Sequence, residues 1–165
     1  MSEGDDVDRA AATRTIAERE VVVSREIEGR RQLVFDAFTE VASLSEWWGP
    51  DGFTTTTHAF AFRPGGVWEF TMHGPDGTDY PNRIEWLEIS PPERIVLRHG
   101  ETDGDPDAFV STVTIADHGE RSEIVLRSVF RTRERRDEVV ERHGAIEGGR
   151  QTLARLAAYV ARSTR

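Results

Sequence analysis

From Arg133 to Ala161 the chain keeps apolar and small residues on a single helical stripe, and no earlier stretch is long enough to do the same. Val139, Val140, Ala145, Gly148, Thr152, Leu156, Tyr159 and Val160 fall close to one face at the spacing of an α-helix. The stripe is thin in its first half, because Gly144, Gly148 and Gly149 stand where bulky core residues would be expected. A glycine inside a helix costs about 1 kcal/mol relative to alanine. Three so close together imply either tight backbone approach or a space left beneath the helix. We read the space as a ligand cavity, which makes the final helix the lid of a binding fold.

The preceding segments are strands looking for such a partner. Glu20–Ile27, EVVVSREI, is β-branched and predicts a strand. Leu33, Val34, Ala37, Phe38 and Val41 then recur at helical spacing, and a second short helix over Ala42–Trp48 stops at Gly49-Pro50. Beyond it, turn residues separate strands at Phe53–Phe62, Val67–His73, Tyr80–Ile89, Arg94–His99, Phe109–Ala116 and Ser122–Phe130. One strand, two short helices, six sequential strands and one long helix form an α+β order rather than a βαβ alternation. The expected shape is a curved antiparallel sheet of about seven strands wrapped round the last helix, with residues 1–18 as a tail and 19–163 as one domain.

Composition narrows the function. The chain has 165 residues, no cysteine and a net charge of −9. Thiolate catalysis, disulfides and thiolate metal sites are therefore excluded, and the negative charge opposes nucleic acid and acidic membrane surfaces. No apolar run approaches the length of a membrane helix, and the acidic start lacks a signal-peptide core, so a cytoplasmic location is expected. The five histidines lie on separate predicted elements without a paired helical spacing, so neither a metal nor another cofactor is expected. No Gly-x-Ser-x-Gly elbow and no glycine-rich phosphate loop occurs.

Alternation points His58, Phe60, Trp68, Phe70, Met72, Trp86, Phe109 and Phe130 toward one inner wall, facing Gly148 and Thr152. His58, Ser128 and Thr152 are the polar residues expected to project inward. A mainly apolar pocket with a few placed polar groups is the usual small-molecule site. Trp47 and Trp48 are expected to anchor the short helix, and the loop HGPDGTDYPN to be a structural turn.

At EWWGPDGF, RPGGVWEFTMHGPDGTDYPN and EISPPERIVL the chain resembles the SRPBCC, or START-like, superfamily, in its branch named for the activator of the heat-shock-protein-ninety ATPase. The resemblance extends from about Glu20 to Ala161 and implies a helix-grip fold with a cavity between sheet and C-terminal helix. Two positions depart from the family pattern: Gly29-Arg30-Arg31 has no proline at the first helix, and Ala61 replaces an acidic residue often found there. The resemblance implies three functions: binding of a small hydrophobic or amphipathic molecule, a polyketide-cyclase-like reaction with His58 as the candidate acid–base group, or a co-chaperone-type contact with a chaperone partner. The open edges of the sheet add a homodimer to the partners considered.

Overall fold

The computed structural model describes residues 15–163. The expected tail over residues 1–18 falls mostly outside them; residues 15–18 form a helical turn, and Arg19 O accepts the Phe130 N–H while the Arg19 guanidinium donates to Phe130 O. Seven strands follow the segmentation above: β1 Glu20–Ile27, β2 Thr54–Phe60, β3 Val67–His73, β4 Asp79–Ser90, β5 Arg94–Gly100, β6 Phe109–His118 and β7 Arg121–Val129. They make one antiparallel sheet in the order β1-β7-β6-β5-β4-β3-β2. Short turns join β2 through β7 as successive neighbours, and β1 returns to the far edge against β7. Two short helices, α1 (Arg31–Asp36) and α2 (Val41–Trp47), connect β1 to β2 across the sheet's inner side.

The C-terminal segment is two helices rather than one. α3 (Arg133–His143) begins at Thr132, whose hydroxyl accepts the Arg135 N–H at 3.0 Å, and α4 (Ala145–Ser163) follows after Gly144. Gly144 lies in the left-handed region, with φ 60° and ψ 42°, and caps α3. Left-handed dihedrals turn the backbone out of the right-handed helix, and glycine adopts them without a Cβ penalty, so the continuous periodicity of the sequence concealed a break. α3 buries none of its residues; α4 buries Leu153, Leu156 and Val160 and does the gripping.

Two glycines set how closely α4 lies to the sheet edge. A Cβ built on Gly149 would come within 3.0 Å of Val23 on β1, and one on Gly29 within 2.6 Å of Val160. Gly148 is different, since a Cβ there meets only Pro50, at an ordinary 3.5 Å. The glycines read at first as one space therefore divide into a cap, a close approach and an open position.

A single guanidinium fastens α4 to the α2–β2 connection. Arg155 Nη1 donates to the carbonyls of Trp48, Gly49 and Pro50 at 3.0, 2.9 and 3.0 Å, and Nη2 reaches Glu46 O at 3.3 Å. Hydrogen bonds from a charged donor contribute more than neutral ones, and of these acceptors Pro50 O also takes the Phe53 N–H at 3.2 Å. Arg155→Ala is expected to lower the unfolding free energy by about 2 kcal/mol, read as a shift of the urea midpoint at unchanged slope. A midpoint that does not move would show that water replaces the guanidinium without loss.

Candidate functional site

The inner face of the sheet has two parts with different packing. Over β3 and β4 it is filled. Trp68 and Trp86 are 0 % exposed and Phe70 1 %, and rings from the loops and short helices close over them. Trp48 packs edge-on against Trp68 at 5.2 Å and Phe70 at 6.3 Å, and Phe62 meets Trp86 at 4.9 Å. Trp47 is also buried, with its indole N–H donating to Ala37 O at 3.1 Å. The tryptophan pair thus anchors α2 and closes the aromatic core.

Over β5, β6, β7 and β1 the face is not filled. Here α4 begins and α3 ends, and between them and the sheet lies a cavity of about 370 Å³. Leu97, Val113, Ile124 and Leu126 form much of its floor, Phe109 and Phe130 one end, and Trp48, Gly49, Pro50 and Gly148 part of its roof. This size is ordinary for small-molecule sites. Among the lining residues none is aspartate, glutamate, lysine or arginine; the ionisable side chains are His99 and, exposed on α3, His143.

Its polar groups are few and their partners are defined. Ser111 and Ser128 face each other across β6 and β7, with hydroxyl oxygens 2.8 Å apart. Thr152 donates to Gly148 O at 2.9 Å, a bond to its own preceding turn that leaves only its acceptor capacity. His99, on β5, is held at 2.7 Å from Asn82 Oδ1. The Asn82 amide nitrogen donates to Tyr80 O at 3.0 Å, so its oxygen must accept from the histidine, and Nε2 carries the proton. Burial lowers the His99 pKa from 6.5 to about 4, because the surrounding rings cannot solvate an imidazolium. The residue keeps some accessible area, since one side of it borders the cavity.

The expected wall residues separate accordingly. Met72, Phe109, Phe130, Gly148 and Thr152 border the cavity, as does Ser128. Trp68, Phe70 and Trp86 share their inward direction but lie within the solid aromatic half, and half-buried Phe60 packs against Trp68. His58 is a correction: it is exposed on the outer face, where Nε2 meets Thr71 Oγ1 at 2.8 Å. The pairing of β2 with β3 slips between Thr57 and Ala59, and that bulge reverses which residues point inward. Thr55, Thr57 and Phe60 therefore pair with the inward residues Met72, Phe70 and Trp68.

Perfect alternation through His58 concealed the bulge, as no glycine or proline marks it. His99 and Ser111 were passed over, although both are at inward positions of their strands. His99 sits opposite Phe109, an expected wall residue, and that pairing was the available signal.

A second polar cluster lies on the outer face. His73 is 2.7 Å from Thr56 Oγ1 through Nε2 and 2.7 Å from Asp79 Oδ1 through Nδ1. This is the hydrogen-bond order of a nucleophilic triad, but it lies exposed on the sheet surface away from the cavity. No group of three or more histidine, aspartate or glutamate side chains among the described residues is arranged to hold a metal ion. No helix of the described residues is long and apolar enough to cross a membrane.

A curved antiparallel sheet closed by a C-terminal helix, with an apolar chamber between them, defines a helix-grip protein. The chain belongs to the family of Activator of Hsp90 ATPase homolog 1-like proteins, whose model matches residues 29–161. Solved structures carry the same fold. A solution structure from Arthrobacter aurescens is 22 % identical, covers 89 % of this chain and 88 % of its own, and gives a TM-score of 0.82. A crystal structure from Nitrosomonas europaea is 21 % identical with TM-score 0.81, covering 90 % of this chain and 97 % of its own. The AHSA1 protein from Silicibacter pomeroyi is 22 % identical with TM-score 0.71, covering 87 % and 99 %. At these identities the likeness is one of fold. None of the curated proteins matches the chain.

Proposed function

We propose that the protein binds a small, predominantly apolar molecule in the cavity between β5, β6, β7, β1 and the start of α4. The observation that supports this reading is volume. About 370 Å³ stands open beside a fully packed aromatic half of the same sheet face, and Gly148 leaves the roof without a side chain. Apolar walls favour an apolar occupant, at roughly 25 cal/mol per Å² of surface removed from water. The co-chaperone reading would have to use the sheet's outer face, because Trp47 and Trp48 are both turned into the fold. The cyclase-like reading loses His58 as its acid–base group, since that ring faces outward.

The test is to fill the roof. Phenylnaphthylamine, a neutral probe that brightens in apolar surroundings, is expected to bind the native protein saturably. Gly148→Phe should weaken that binding at least tenfold, whereas Gly148→Ala, whose Cβ meets only Pro50, should retain it. Undiminished binding to the phenylalanine variant, with its fold intact by circular dichroism, would place the probe elsewhere and end the proposal.

A further inference from the structure

We infer that His99 selects the occupant of this cavity: Nδ1 is the acceptor for a neutral ligand whose polar end carries a proton donor, an alcohol or a phenol. The inference rests on the cavity reading and adds the ligand's chemical class.

Asn82 fixes the tautomer. Its own amide is oriented by Tyr80 O, its oxygen therefore takes the Nε2 proton, and the lone pair of the neutral ring is left on Nδ1. Among the described residues no group donates to Nδ1, and His99 is only partly buried and borders the cavity. The lone pair therefore retains access to the space His99 borders. Around the imidazole ring stand Phe109 at 5.0 Å, Trp48 at 6.2 Å and Phe70 at 6.2 Å, measured between ring centroids. An acceptor within aromatic walls gains most from a ligand donor, since no protein group competes for it.

The same walls argue against charge. A carboxylate entering here would lose its hydration, and the only lining side chain besides His99 able to carry positive charge is His143, which is exposed; an ammonium would find no carboxylate. The Ser111–Ser128 pair and Thr152 supply further hydroxyl oxygens but no ionic partner. The site is thus matched to a neutral ring or chain ending in a hydroxyl group.

Three probes of similar size decide it by quenching of tryptophan fluorescence: 1-naphthol, its methyl ether 1-methoxynaphthalene, and 1-naphthoate. In the native protein 1-naphthol is expected to bind about tenfold more tightly than the ether, and naphthoate more weakly than either. His99→Phe should bring the naphthol and ether constants together. Equal constants in the native protein, a naphthol preference that survives His99→Phe, or naphthoate as the tightest probe would overturn the assignment and leave the cavity standing. Failure of all three probes to bind while phenylnaphthylamine binds would overturn the assignment, and failure of phenylnaphthylamine as well would remove the cavity reading. The unsubstituted protein gives an independent readout: the Nδ1 nitrogen resonance should move on addition of 1-naphthol but not of the ether, and an unmoved resonance at saturating naphthol would overturn the inference even if His99→Phe fails to fold.

Discussion

Trp68→Ala is expected to lower the unfolding free energy by about 4 kcal/mol, which would be the largest single-residue effect in the sheet. Trp68 is fully buried and central to the aromatic half. Its ring stacks on Phe70 at 3.8 Å, lies edge-on to Trp48 at 5.2 Å and to Phe60 at 6.2 Å, and runs parallel to Trp86 at 6.5 Å. Its indole N–H donates to Thr57 Oγ1 at 3.0 Å. Truncation would empty a volume that these rings, held by three strands and a helix end, cannot collapse to fill. The remaining cost is the Thr57 hydroxyl left without its donor. Thermal and urea unfolding monitored together would measure the loss. A cost below about 1 kcal/mol would mean that this half of the sheet is far more plastic than its packing shows.

The second large effect concerns pH. His99 has an ordinary pKa of 6.5 when exposed and about 4 in the folded protein. Between those values the unfolded chain carries the proton and the folded chain does not. Acidification therefore favours unfolding. Stability is unaffected by this group above pH 6.5, falls as pH drops through the interval, and stops falling because of it near pH 4. The full shift corresponds to at most about 3 kcal/mol, and water entering the cavity would reduce it. None of the residues around the ring (Trp48, Phe70, Asn82, Ile84 and Phe109) carries a charge to offset this cost. Urea midpoints at pH 7 and pH 5 for the native protein and His99→Phe would isolate the contribution. Equal pH slopes in the two proteins would show that His99 titrates normally.

These two residues illustrate how one inward face can serve two purposes. Trp68 on β3 and His99 on β5 both point toward the helices, yet one is enclosed by rings and the other borders open volume. The division follows from what covers each strand. Trp48, Phe60 and Phe62 close over β3 and β4, whereas the α3–α4 residues that face the cavity over β5 to β7 include Gly144, Ala145, Gly148 and Gly149, which have little side-chain volume to offer. The proposed site is thus a consequence of missing bulk in one segment and not of a special pocket-forming motif.

Local order was legible in the residues alone. Strand and helix segmentation depends on neighbours two to four positions apart, and turn residues such as Gly74-Pro75-Asp76-Gly77 act through their own backbone geometry. Asp76 accepts the Thr78 N–H at 3.0 Å within that turn, and this hydrogen bond lowers its pKa. The α+β order, the single antiparallel sheet and the role of the last helix all followed from such short-range patterns. The bulge at Thr57–Ala59, the cap at Gly144 and the partition of the inner face did not. The cap is local, a left-handed Gly144 whose N–H reaches Val139 O inside an otherwise continuous stripe, whereas the rest depends on groups far apart in the chain: β3 setting the register of β2, Gly149 meeting Val23, and Asn82 choosing the tautomer of His99. A periodic pattern records which way a side chain points. Whether it meets another side chain or an open space is decided only when the distant element that covers it is in place.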